Sequence, residues 1–183
     1  MRETLADLEA RFAQASAEPT HHIDQHLGIV ACGEALAAAR AGNYGVGAVL
    51  VDPNGSILAQ GRNAVFFPYF RSDHHAEMVA INAFEERHPD VDNMRGYTLV
   101  SSLEPCPMCM TRLLMAGVQT VKFLAHDDLA GMVNRKDHFP TAWKRLWHGR
   151  EFIQADVSES LKRFALDVFS LNLETCRQKL WSR

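Results

Sequence analysis

Apolar positions along the chain change period several times, and each change marks an expected element. Over residues 2–16, Leu5, Leu8 and Phe12 recur at helical spacing among charged neighbours, which predicts a short amphipathic helix or arm, a frayed terminus being the alternative. Thr20, just after Pro19, fits the N-cap of a longer helix running to about Arg40, with Ile23, Leu27, Val30, Ala31 and Leu36 on its apolar side and Gly42 near its end. Residues 45–51 are rich in small and β-branched residues. Asp52-Pro53-Asn54-Gly55 then supplies turn chemistry and residues 56–62 continue as a second strand, so a hairpin is expected. Asn63 closes that strand. Residues 66–70 follow, four aromatics and a proline, which no regular helix crosses and which serve either as a plug over core or as a lid for something flat.

From His74 the period is helical again, through Met78, Val79, Ile81, Ala83 and Phe84 to Glu86, until His88-Pro89 breaks it. Residues 97–101 read as a buried strand, 105–115 as a helix ended by Gly117, and 118–124 as another strand. Helix, hairpin, helix, strand, helix, strand implies an α/β sheet with helices on its faces. Beyond it the pattern gives a turn at 127–134, a short helix at 142–148 and a brief fifth strand at 151–153. Asp156 and Glu159 then resemble a capping box opening one amphipathic helix to about Leu180, expected to do no more than pack. With no repeat, low-complexity run or linker, residues 1–183 are read as a single domain, 1–18 being an N-terminal arm and 127–183 a variable tail with a C-terminal helix.

Composition narrows this further. A hydrophobic fraction of 47% with 22% charged residues is ordinary for a globular chain. The net charge of -3 supplies no broad attraction to nucleic acid, and Lys162, Arg163, Arg177 and Lys179 look scattered among acids on the last helix. Of the 4 cysteines only Cys106 and Cys109 have metal-type spacing, which argues against a disulfide framework and for a reducing compartment. No apolar run approaches the ~20 residues needed to cross a membrane, and the first residues lack a signal peptide, so a cytoplasmic location is expected.

The chemistry concentrates in two short pieces, His75-Ala76-Glu77 and Pro105-Cys106-Pro107-Met108-Cys109. One imidazole and two thiolates are three zinc ligands, leaving a fourth tetrahedral position for water, the mark of a catalytic rather than a structural site. Glu77 is not needed as a ligand and suits a proton carrier beside that water. A thioredoxin-like reading of the C-x-x-C leaves Glu77 unexplained. A closed structural site would need a fourth protein ligand, for which His74 and His126 are the candidates. His21, His22 and His26 offer a weaker metal set.

The runs GVGAVLVDPNGSILAQGRN, HHAEMVAINAF and SSLEPCPMCMTRLLMAGVQTVKFLA resemble the cytidine-deaminase-like superfamily, in the branch of tRNA adenosine, guanine and cytosine deaminases, over about residues 23–126. The resemblance implies a three-layer α/β/α sandwich around a mixed five-stranded sheet, one zinc ion per chain and a homodimer. It assigns His75, Cys106 and Cys109 as zinc ligands, Glu77 as proton shuttle, Asn63 as the base-binding amide and the backbone at Ala48 as pocket lining; for Asn63, a turn cap at the strand end is the alternative. Phe67, His74 and Trp143 are further candidates for pocket walls. The approach Arg71-Ser72-Asp73-His74 departs from the Asp-Pro-Thr-Ala type usual in tRNA-acting members. With the acidic charge, this favours a small-molecule substrate, a free base or nucleoside and preferably a guanine-like purine, with nucleic acid and membrane partners not expected. Adenosine-to-inosine editing of tRNA is the alternative enzyme reading, and a catalytically silent zinc-containing binding module the non-enzyme one.

Overall fold

The computed structural model describes residues 3–183, so residues 1 and 2 of the expected arm lie outside the described residues. The elements in chain order are α1 (Leu5–Ala17), α2 (Gln25–Arg40), β1 (Gly47–Val51), β2 (Ile57–Arg62), α3 (Ala76–Arg87), β3 (Thr98–Leu103), α4 (Pro107–Ala116) and β4 (Thr120–Ala125). A 3-10 turn (Val133–His138), α5 (Thr141–Trp147), β5 (Glu151–Gln154), α6 (Glu159–Leu171) and α7 (Leu173–Trp181) complete them. The strands form one mixed sheet in the order β2-β1-β3-β4-β5, with β1 antiparallel to both neighbours and β3, β4 and β5 parallel. This is the five-stranded α/β arrangement expected.

The hairpin forms where the turn residues place it. Asp52 Oδ1 accepts from the N–H groups of Asn54 and Ser56, at 2.8 Å each, and the ladder slips between Leu50 and Val51. Two glycines let helices approach β1 and β2 from opposite sides. A Cβ on Gly47 would sit 2.2 Å from the Ala31 carbonyl oxygen of α2, and one on Gly61 would sit 2.2 Å from that of Ala76 on α3. On the α2 side α6 also packs, against β3 and β4, and α1 lies over both helices; α4 lies beside α3 and α5 against α4. The result is three layers with the core on both faces of the sheet.

The N-terminal segment is a docked helix rather than a loose arm. Thr4 and Asp7 close a capping box, Leu8 is fully buried, and the Phe12 and Phe164 rings lie 5.1 Å apart. The helix expected from Thr20 begins at Gln25 with Asp24 as N-cap, because the Asp24 carboxylate is taken by Lys122 at 2.7 Å and by the Asp156 N–H at 2.9 Å. Asp156 in turn does not cap the next helix. Its side chain meets His22 Nδ1 at 2.6 Å and the Ile23 N–H at 3.3 Å, and Ser158 caps α6 instead.

The single last helix expected from 156 to 180 is two helices. At the break, Asn172 Nδ2 donates to the carbonyls of Ala39 (2.7 Å) and Asn43 (2.9 Å), which turns α7 back across the end of α2. Asn43 also holds the aromatic loop: its Oδ1 accepts from the N–H groups of Phe66 (2.8 Å) and Phe67 (3.0 Å), and its Nδ2 donates to the Phe67 carbonyl at 3.3 Å. No helix among the described residues is long and apolar enough to cross a membrane.

Candidate active site

Two helices begin at the same edge of the sheet, just beyond the carboxyl ends of β2 and β3, where ligands of α/β sheets commonly bind. His75 is the N-cap of α3 and Cys106 the N-cap of α4, with Pro107 at the first helical position, suited to a residue that has no N–H to leave unpaired. Glu77 and Cys109 each fall in the first turn that follows. Residues two and three apart therefore reach one point, because they sit at helix starts and not along a helix side.

His75 Nδ1 lies 3.6 Å from Cys106 Sγ and 3.5 Å from Cys109 Sγ, and one donor atom from each of the three lies within 4.8 Å of the others. Bonds of about 2.3 Å to sulfur and 2.0–2.1 Å to nitrogen at a tetrahedral centre set the nitrogen–sulfur edge at about 3.6 Å. The donors therefore already stand at zinc spacing, with the ring nitrogen identified as Nδ1. Among the described residues this is the one group of three such donors. His21, His22 and His26 are exposed, and His126, 3.0 Å from Glu104, is not in the cluster.

The electrostatics suit a cation. The hydrogen bond from Cys109 and those to His75, working against burial, bring the Cys106 thiol down to about 4. Cys109 is pushed up, first by that same bond to Cys106 and then by burial. Without a cation the pair thus holds a thiolate and a thiol, and a bound metal favours the second thiolate as well. Burial raises the pKa of Glu77, and the Cys106 thiolate raises it further; its Oε2 accepts from the Cys109 thiol at 3.3 Å. Burial pulls the His75 ring down, but the Cys106 hydrogen bond and the charges of Cys106 and Glu77 outweigh it and leave the ring raised.

A cavity of about 240 Å³ opens over this cluster, lined by His75, Glu77, Cys106 and Asn63, and by Tyr44, Val46, Leu103, Glu104, Asp127, Ala130, Phe169, Leu173, Arg177, Leu180 and Trp181. Asn63 is buried. Its Oδ1 accepts from the Val65 N–H at 3.3 Å, while among the described residues no protein acceptor takes its Nδ2. The other expected pocket residues lie elsewhere. Ala48 is sealed inside β1, with Val46 supplying that part of the wall; Phe67 is 56% exposed on the aromatic loop; His74 and Trp143 are half-buried and do not line the cavity.

Sequence reasoning missed two walls. Glu104 is buried and accepts from the N–H groups of Val133 (2.9 Å) and Asp127 (3.3 Å), which holds the loop after β4 over the cavity. The other wall is α7, whose Cys176 is buried while Leu173, Arg177, Leu180 and Trp181 reach the cavity. The available signal was Asn172, a turn-prone residue in the middle of an otherwise continuous amphipathic pattern.

Residues 22–125 match the cytidine and deoxycytidylate deaminase zinc-binding region. The chain belongs to this family. It is a zinc-binding family, and His75, Cys106 and Cys109 form a potential metal site in this chain. The tRNA-specific adenosine deaminase of Bacillus subtilis is 39% identical over 100 residues, 54% of this chain and 59% of the relative. The chain spans between 9% and 59% of the length of the curated relatives it matches. Among solved structures, one from a study of A-to-I editing by tRNA:A34 deaminases at the wobble position superposes with a TM-score of 0.66 at 24% identity, covering 78% of this chain and 98% of the other. The guanine deaminase of Nitrosomonas europaea superposes at 0.62 with 20% identity, covering 87% and 92%. Both are likenesses of fold.

These findings correct the expectation of a free, guanine-like substrate. Relatives 32–39% identical are named tRNA adenosine deaminases, whereas the guanine deaminase shares the fold at 20% identity. Net charge misled because it averages over the whole chain, and a substrate meets only the surface around the cavity.

Proposed function

We propose that this protein is a zinc-dependent hydrolytic deaminase that converts adenosine to inosine in tRNA. The observation that carries the chemistry is the meeting of His75, Cys106, Cys109 and Glu77 at one point, under the cavity that His75, Glu77 and Cys106 line. The relatives' names support the substrate.

His75, Cys106 and Cys109 would hold zinc, which would supply the Lewis acidity that lets a water lose a proton near neutral pH. Glu77 receives that proton, its raised pKa lets it hold the proton for delivery to the ring nitrogen beside the attacked carbon, and it then takes the second proton from the added hydroxyl and passes it to the departing amine. Water and adenosine become inosine and ammonia, with Glu77 returned to its starting state. Asn63 orients the base through its amide, and the apolar walls Val46, Leu103 and Phe169 exclude bulk water. Two copies of the chain associating as a homodimer fit the same reading.

The test is incubation of the zinc-loaded protein with a full set of tRNA transcripts, read by sequencing for adenosine-to-guanosine changes. Inosine at a defined anticodon position is expected. Ammonia release from guanine or free nucleosides with no inosine in any tRNA would overturn the substrate assignment, and no turnover of either would favour a silent binding module.

A further inference from the structure

Beside α7, which lines the cavity, lies a surface that deamination itself does not use. Phe67, Tyr69 and Trp181 are 56%, 62% and 72% exposed, an unusual outlay of aromatic area on solvent. Next to them, cations of α7 and the residues just after it sit on the faces of the same aromatic loop: Lys179 Nζ is 5.5 Å from the Phe66 ring centre, and the Arg183 guanidinium is 3.2 Å from that of Phe70. Arg177 lines the cavity below. Among the described residues no ion pair engages Arg177, Lys179 or Arg183, while the nearby Arg71 is paired with Asp73 at 3.4 Å. Cations parked on rings and not on carboxylates keep their charge available, and exposed aromatic faces beside them satisfy the two needs of single-stranded nucleic acid, stacking for bases and charge for phosphates. An apolar protein partner would leave those charges buried without a counterion.

We propose that residues 66–70 and α7 form the platform for the single-stranded nucleotides flanking the deaminated base, with Trp181, Tyr69 and Phe67 stacking bases and Lys179 and Arg183 facing the phosphates. This rests on the nucleic-acid reading of the site above.

The experiment uses the full, zinc-loaded chain and a fluorescein-labelled twelve-nucleotide oligouridine, which contains no adenosine to deaminate. Anisotropy should show binding that weakens with salt. Trp181→Ala should lower affinity about tenfold, within the range for one base–aromatic stack, and Lys179→Gln with Arg183→Gln should reduce the slope of log affinity against log salt by about 1.4, two phosphates' worth. These side chains are exposed, so the variants should fold, and a change in salt slope is not produced by a merely structural loss. Failure of the oligomer to bind, or unchanged affinity and slope in the variants, overturns the platform. Inosine formation on tRNA is measured alongside. Inosine with an unchanged KM in all variants removes the platform and leaves the editing reading. Oligomer binding that responds to the variants, without inosine in any tRNA, removes the editing reading and leaves the platform.

Discussion

Gly61→Ala should damage the metal site through the backbone, without touching a ligand. The added Cβ would stand 2.2 Å from the Ala76 carbonyl oxygen and 2.6 Å from the Ala80 nitrogen, where ordinary contact begins at 3.4 Å, so the start of α3 has to retreat by about 1 Å. Ala76 lies between His75 and Glu77, and both move with it. Overpacking of this kind costs about 1–3 kcal/mol, which for a chain of this length lowers Tm by about 2–12 °C. A misplacement of about 1 Å at the reacting centre costs on the order of 100-fold in rate. The matched control is Gly47→Ala, whose Cβ would meet the Ala31 carbonyl oxygen at the same 2.2 Å but on α2, which carries none of His75, Cys106 and Cys109. Thermal unfolding, zinc content by elemental analysis and turnover should be measured on both. Similar losses of Tm are expected, with zinc and kcat falling only in Gly61→Ala. Wild-type zinc content and turnover in Gly61→Ala would refute the claim that the packing of α3 on β2 sets the site.

Glu77→Gln should keep zinc and fold and lose about 10²–10⁴ in kcat, since the amide cannot carry the proton; a smaller loss by steady-state assay would point to another carrier. In chelator-treated protein Cys106 should react with iodoacetamide at a rate nearly flat from pH 6 to 9, because its thiol is already ionised above about 4. Cys32, fully buried with its thiol pushed up by that burial, should stay unlabelled, and zinc should protect Cys106; peptide mass spectrometry reads all three. Asn172→Ala removes both hydrogen bonds at the α6–α7 break and should cost about 1–3 kcal/mol, with faster amide exchange confined to α7. Uniform exchange through α6 as well would mean that the break is not held by Asn172.

The candidate metal cluster was legible in the sequence because each of its residues sits at a helix start beside its own local signal, Pro107 for α4 and the break in period at His74 for α3. The hairpin was legible because Asp52, Asn54 and Gly55 form a turn with hydrogen bonds of their own. What the sequence hid depends on distant partners. Asp156 looks like a cap until His22 and Ile23, more than 130 residues away, take its carboxylate. Periodicity runs smoothly through Asn172, whose turn preference allows a break but does not set its direction; the carbonyls of Ala39 and Asn43 turn α7 toward the cavity. Arg177 and Lys179 therefore looked scattered along one long helix, when both sit on α7, Arg177 at the cavity and Lys179 over the Phe66 ring.

Asn43 holds the aromatic loop through its side chain and the α6–α7 bend through its carbonyl. The aromatic loop and the start of α7 thus hang from a single residue, while the metal donors hang from α3 and α4. Inserting or deleting a residue between Asn43 and β1 would re-aim the loop and α7 together and leave the donors where they are. The chain has in effect a door frame separate from its furnace, and what it admits is free to change without any change in what it burns.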